Sequence, residues 1–138
     1  MSIFSLKVIA CDKVFFEGSC SRIVIPLRDG EKAIESHHEN MMMGIEPGEI
    51  RITLEDGTIL YGVVSIGFVQ IMNNRVTVIV STAEKPEEID IQRAREAKER
   101  AEEQLRQKQS IREYYHTQAS LARAMSRLKV SSKGHWNI

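Results

Sequence analysis

Asp90 and Arg93 stand three residues apart in Ile89-Asp90-Ile91-Gln92-Arg93-Ala94. On a helix that is one turn, the spacing at which a carboxylate and a guanidinium pair. A solvated pair of this kind contributes only about 0.2–0.5 kcal/mol, and on its own it would be an ordinary surface feature. Its neighbours make it more interesting. Ala94, Ala97 and Ala101 follow at helical spacing, within roughly 60° of one another, and form a narrow stripe of small side chains. Arg93 and Arg100 lie along one margin of that stripe. A second helix approaches a small-residue face closely, so a ligand held at the seam would meet those arginines.

Other chemically capable residues form weaker sets. His37, His38, Glu39 and Met41 to Met43 combine imidazole and thioether, both soft metal ligands. Adjacent residues on a strand point to opposite faces, however, and no second ligand cluster exists, so no metal site is expected. The plain reading of this segment is a loop leading to a buried methionine-rich strand. The functional reading is a partner-docking surface, for which methionine packs adaptably. Ser/His and Cys/His pairs occur, yet no spacing sets a nucleophile beside a base and an orienting acid. Two cysteines, Cys11 and Cys20, are too few for a disulfide framework and are expected as reduced thiols, the alternative being a bridge between neighbouring strands.

The elements that must position the Asp90–Arg93 stretch divide the chain in two. Residues 1–84 read as β structure. Ile50, Ile52 and Leu54 alternate with Arg51, Thr53 and Glu55, one face apolar and one wet. Ile59, Tyr61 and Val63 share a face on the returning strand. Asp29-Gly30, Asp56-Gly57 and Asn73-Asn74 are turn signals, and Glu17-Gly18-Ser19 is expected to turn the chain as well. Short strands at this spacing without helical pattern predict an all-β sandwich or barrel. Composition changes at Glu84. Residues 85–138 read as a helix from Pro86 to about Gln107, then a second from a capping box at Ser110-Ile111-Arg112-Glu113 to about Val130, then a frayed tail. The second helix places Ile111, Tyr115, Ala119, Ala122 and Ser126 on one side, with Arg123 and Arg127 at its edge. Laid together, the two small-residue faces predict an antiparallel hairpin held by only a few kcal/mol, because a methyl-sized side chain contributes about 0.8 kcal/mol against 1.5–3 for leucine. The fold class is therefore α+β, an N-terminal β-sandwich followed by a two-helix hairpin.

Charge is balanced overall, 19 basic residues against 19 acidic, but unevenly placed. Residues 84–103 carry a net −3 and residues 104–138 a net +6, so the tail suits an acidic partner. No apolar run approaches the ~18 residues of a membrane span. The start lacks a basic n-region and is interrupted by Lys7 and Asp12, unlike a secretory signal. A rival reading makes the tail a basic helical binding module for acidic protein or nucleic-acid surfaces. It lacks a base-stacking pattern and a recognised reader fold.

Taken together and in order, Val14-Phe15-Phe16-Glu17-Gly18, Pro47-Gly48-Glu49-Ile50-Arg51-Ile52, Gly67-Phe68-Val69-Gln70-Ile71, Ile89-Asp90-x-x-Arg93-Ala94 and Leu121-Ala122-Arg123-Ala124-x-x-Arg127-Leu128 resemble the bacterial epsilon subunit of the F-type ATP synthase. The resemblance covers essentially the whole chain. It implies a non-catalytic central-stalk subunit whose sandwich docks on the gamma subunit and the c-subunit ring, coupling ion-driven rotation to ATP synthesis. It implies a hairpin that lies folded or extends towards the alpha and beta catalytic subunits. Extended, the hairpin inhibits ATP hydrolysis through basic residues, here Arg106, Lys108, Arg112, Arg123, Arg127 and Lys129. Glu31, His37 and His38 fall in the segment that meets the c ring, although residues 29–44 depart from the family pattern. No cofactor is required. Some bacterial members bind regulatory ATP in the folded hairpin through the I/L-D-x-x-R-A motif, which carries over to Glu84, Ile89, Asp90, Arg93, Ala94, Arg100, Arg123 and Arg127. Arginines from both helices would face phosphates, with Asp90 orienting Arg93. With no phosphate-cradling glycine loop and no Mg²⁺ carboxylate cluster in the sequence, hydrolysis is not expected. The implied location is peripheral, on the cytoplasmic face of the bacterial cell membrane, without direct insertion and without nucleic acid as a partner.

Overall fold

The computed structural model describes residues 2–11, 13–107, 110–134 and 136. Nine strands come first: β1 Phe4–Ala10, β2 Lys13–Leu27, β3 Gly30–Glu35, β4 Met41–Ile45, β5 Gly48–Leu54, β6 Ile59–Val64, β7 Gly67–Met72, β8 Arg75–Val80 and β9 Ala83–Glu84. They pair along the path β4-β7-β8-β1-β2-β5-β6-β9, with β3 also on β2. All pairs are antiparallel except β1 with β8. A single core gathers Leu6, Val8, Ile23, Ile25, Ile34, Ile45, Ile50, Ile52, Ile71 and Val78 from both layers of this β-sandwich. Cys20 sits in that core, and burial pushes its thiol up to about 12. Both cysteines are free.

The turn chemistry is as the sequence predicts at Asp56-Gly57, where Gly57 takes φ +91, and at Asn73-Asn74, where both residues take positive φ, as a two-residue type I′ hairpin requires. Glu17-Gly18-Ser19 is different. It does not turn; β2 runs through it as one strand of 15 residues. Gly18 lies opposite Leu6 and Ser19 opposite Ser5 in β1, so the ladder to β1 holds the segment extended. The strand then shifts register between Cys20 and Arg22 and continues on β5. This shift lets one strand serve both layers. Pro26 also lies inside β2, opposite Glu31.

After a 3-10 turn at Pro86–Glu88 come α1, Ile91–Arg106, and α2, Ile111–Ser131. α1 starts later than the sequence suggests because Asp90 caps it: its side chain accepts from the Arg93 amide. Ser110 caps α2 in the same way, accepting from Glu113 N, as the capping box predicts. The two helices pack on each other, with Ala94 and Ala101 of α1 buried at the seam.

The face of α2 turned inward is not the expected one. Thr117, Ala124 and Val130 are buried, whereas Ile111 and Tyr115 are 76% and 64% exposed. The reason is that α2 meets two neighbours, α1 and the sandwich, and its inward arc is set by both. The tail also departs from expectation, since Trp136 docks on the sandwich. Met42 is exposed while Met41 and Met43 are half-buried, so the methionine strand alternates rather than sinking whole.

Candidate functional site

Residues with the right chemistry converge where α2 lies across β5, β6 and the 3-10 turn. The sequence anticipates part of the reason. Tyr61 and Val63 share one face of β6, but that face points away from the core, which takes Leu60 and Val64 instead. Its apolar character is explained by α2: Val63, Ile89 and Val130 form a small separate cluster with Tyr61 against it.

Two ion pairs flank this cluster. Arg127 places Nε 2.8 Å and Nη2 2.7 Å from Glu84 Oε1. Lys129 Nζ lies 3.5 Å from Glu49 Oε2. Glu49 is only 8% exposed, and among the described residues its Oε2 has no hydrogen-bond partner, so the lysine is what answers that oxygen's charge. Glu49 Oε1 accepts from Arg51 Nη1 at 2.8 Å, and Arg51 also grips both oxygens of Glu31 at 2.8 and 3.2 Å. That two-point hydrogen bond holds the Glu31 carboxyl below its ordinary value, and the two glutamates raise the Arg51 guanidinium.

Of the eight residues carried over for nucleotide, the structure brings some together and leaves others apart. Glu84 and Arg127 are in contact. Asp90 Oδ1 accepts from the Arg93 amide at 3.0 Å, and its Oδ2 lies 3.6 Å from Arg93 Nε, so Asp90 acts first as a helix cap. The Arg93 side chain is 86% exposed. Ile89 is buried with Val63 and Val130, and Ala94 is buried at the α1–α2 seam. Arg100 donates to the Glu96 carbonyl and Arg123 to Ser120 Oγ. The four arginines are thus tied to four different acceptors.

Among the residues expected to contact the catalytic subunits, Arg106 pairs with Glu103 at 2.7 Å and Arg112 is exposed. Arg127 and Lys129 are engaged by the sandwich, and Lys108 lies outside the described residues. Glu31 does not sit with His37 and His38. Glu31 is near the start of β3, while the histidines lie in the turn past its other end. There the His37 amide donates to Asn74 Oδ1 at 2.7 Å, and His38 Nδ1 lies 2.9 Å from the Glu39 carbonyl. Among the described residues, no group of three or more His, Cys, Asp or Glu is placed to hold a metal ion.

Sequence reasoning missed Glu49, Arg51, Val63 and Val130 as members of this interface. One signal was present: Ile59 to Val64 is apolar on both faces, which a strand needs only when something covers its outer side.

This architecture coincides with a known family. Residues 3–86 match the ATP synthase Delta/Epsilon chain beta-sandwich domain, and residues 87–132 match the long alpha-helix domain of the same chain. The ATP synthase epsilon chain of Ruminiclostridium cellulolyticum is 39% identical, over 96% of this chain and 98% of that one. That of Caldicellulosiruptor bescii is 38% identical over the full length of both. A chain of the Euglena gracilis mitochondrial ATP synthase shares the fold with TM-score 0.82 at 21% identity, covering 96% of this chain and 82% of its own. The chain belongs to the ATP synthase delta/epsilon family, among the bacterial epsilon chains. It is accordingly a non-catalytic stalk subunit of that synthase.

Proposed function

We propose that the chain is a rotor subunit whose sandwich docks on gamma and on the c-subunit ring, coupling ion-driven rotation to ATP synthesis, and whose hairpin inhibits ATP hydrolysis when it leaves the sandwich. The carrying observation is the nature of the α2–sandwich contact. Arg127 and Lys129, two of the basic residues assigned to the alpha and beta subunits, are held here by Glu84 and Glu49. The same cations therefore serve either the folded hairpin or an acidic partner, never both. Ion pairs with at least one partner open to solvent, as Arg127 and Lys129 are, contribute about 1 kcal/mol or less, and burying Val130 adds about 1.5–3 kcal/mol. Such a contact forms readily and releases readily. The subunit would lie peripherally, on the cytoplasmic face of the bacterial cell membrane; among the described residues no helix is long and apolar enough to cross it. Removing everything after Glu84 tests the inhibitory role: ATP hydrolysis by the reconstituted complex is expected to rise, and an unchanged rate would remove that assignment while leaving rotor coupling intact.

A second reading concerns ATP as a regulatory ligand of the folded hairpin, with Glu84, Ile89, Asp90, Arg93, Ala94, Arg100, Arg123 and Arg127 as its site. What favours it is the exposure of Arg93, whose ion pair with Asp90 is 3.6 Å long, together with Arg100 and Arg123, whose contacts among the described residues are to neighbours on their own helices. Exchanging those local partners for phosphates would suit guanidiniums, which bind phosphates through paired N–H donors. Isothermal titration of the isolated chain with ATP is expected to show binding that Arg93→Gln weakens. No heat at millimolar nucleotide would sink this reading.

A further inference from the structure

The tail beyond α2 is built as a strap. Ser132 ends the helix, and Gly134 takes φ +88, a conformation in which a Cβ is strained. The chain meets the sandwich again at Trp136. Trp136 then stands edge-on to Phe15, with ring centroids 4.9 Å apart, and to Phe16, at 6.2 Å. Its indole N–H donates to the Tyr61 carbonyl at 2.7 Å, and Lys85 Nζ sits 4.9 Å from the ring centroid. Lys133 Nζ lies 5.0 Å from the Tyr61 ring centroid.

Each contact is of a type that stabilises. Edge-to-face aromatic pairs, a satisfied indole donor and a cation over a ring together make a specific seat for this side chain. Phe16 belongs to the core itself, so Trp136 reaches the core of the sandwich. Lys85 opens the segment that leads into α1, and Tyr61 borders the cluster that receives Val130. The indole therefore touches the sandwich and the root of the hairpin at once.

We propose that Trp136, beyond Gly134, is a C-terminal strap that fastens the folded hairpin to the sandwich, additional to the Arg127–Glu84 and Lys129–Glu49 pairs. The strap sets how readily α2 departs. It rests on the reading of the hairpin as releasable. Its effect on hydrolysis rests further on the inhibitory reading, and the two are separable by experiment.

Trp136 is the only tryptophan, so its emission reports the seat directly. In the isolated full chain it is expected to be blue-shifted and shielded from acrylamide. Emission and quenching like those of a free tryptophan peptide would overturn the proposal. Trp136→Ala, and separately Gly134→Ala, which leaves the aromatic contacts chemically intact, are expected to speed tryptic cleavage after Arg123 and Arg127 by about tenfold. Cleavage after Arg22 and Arg51 in the sandwich should stay constant, which shows that the domain remains folded. Unchanged cleavage of α2 in both variants would overturn the strap. In the reconstituted complex the same variants are expected to deepen inhibition of hydrolysis. Faster cleavage with unaltered hydrolysis would uphold the strap and contradict the inhibitory role instead.

Discussion

The sandwich and the hairpin are built from different side chains, and stability divides accordingly. All the largest fully buried residues, among them Leu6, Ile23, Ile25, Ile50, Ile52 and Ile71, lie in the sandwich. The hairpin buries Ala94, Ala101, Thr117, Ala124 and Val130. Each buried isoleucine contributes about 1.5–3 kcal/mol, and a buried alanine methyl about 0.8. The sandwich is packed with large aliphatic side chains. The hairpin is packed with small side chains and fastened at its end by ion pairs and an aromatic contact. Local stability of this graded kind is general in proteins, and the mobile elements come from its low end.

This contrast can be broken in several ways, the largest first. Ile52→Ala removes a fully buried side chain and is expected to lower sandwich stability by about 2–5 kcal/mol in urea denaturation. Ala124→Gly, at the hairpin seam, is expected to cost about 1 kcal/mol of local helix stability and to leave the sandwich midpoint where it was. A common shift in both would mean that the two regions fold as one unit. Gly67→Ala follows, at about 1–3 kcal/mol. A Cβ at Gly67 would overlap the Ile79 carbonyl on the neighbouring strand, so backbone rather than a flexible side chain would have to shift. Asp90→Ala deletes the cap of α1 and is expected to weaken that helix by about 0.5–2 kcal/mol, measured by amide exchange in residues 91–94, with β5 and β6 unaffected.

The smallest effect is one of pH. Arg51 depresses the Glu31 carboxyl below its ordinary 4.5. A depressed folded value stabilises the native state above the unfolded value, and that contribution is lost as pH falls through the folded value. Urea midpoints measured from pH 6 downwards should therefore fall below about pH 4.5, less steeply in Glu31→Gln than in the parent chain. Identical profiles would show that the Arg51 pair adds nothing.

Much of this was legible in the sequence where the determinant is local. Asn73-Asn74, Asp56-Gly57 and the Ser110–Glu113 box act through their own backbones, and each appears as expected. Ala94 and Ala101 are buried because a period of small residues has only one partner to find. Long-range determinants were not legible. Glu17-Gly18-Ser19 has the composition of a turn, yet pairing with β1 holds it extended. The inward arc of α2 was misassigned because the helix has two neighbours and a helical wheel weighs only one. Glu49 meets Lys129 of α2, far along the chain, and nothing local in the sequence announces that contact. The tail looked frayed because nothing nearby in sequence tells Trp136 that Phe15 and Tyr61 await it.

Native-state hydrogen exchange of the isolated chain tests the central claim most directly, by comparing α2 amides from Leu121 to Val130 with those of β2 and β5. If the hairpin is separately fastened, the α2 amides will exchange through an opening far less costly than global unfolding, and Lys129→Gln or Trp136→Ala will speed them while β2 and β5 keep their rates. If α2, β2 and β5 instead share one exchange free energy and respond together to those substitutions, the hairpin is a fixed part of the sandwich and the account is wrong.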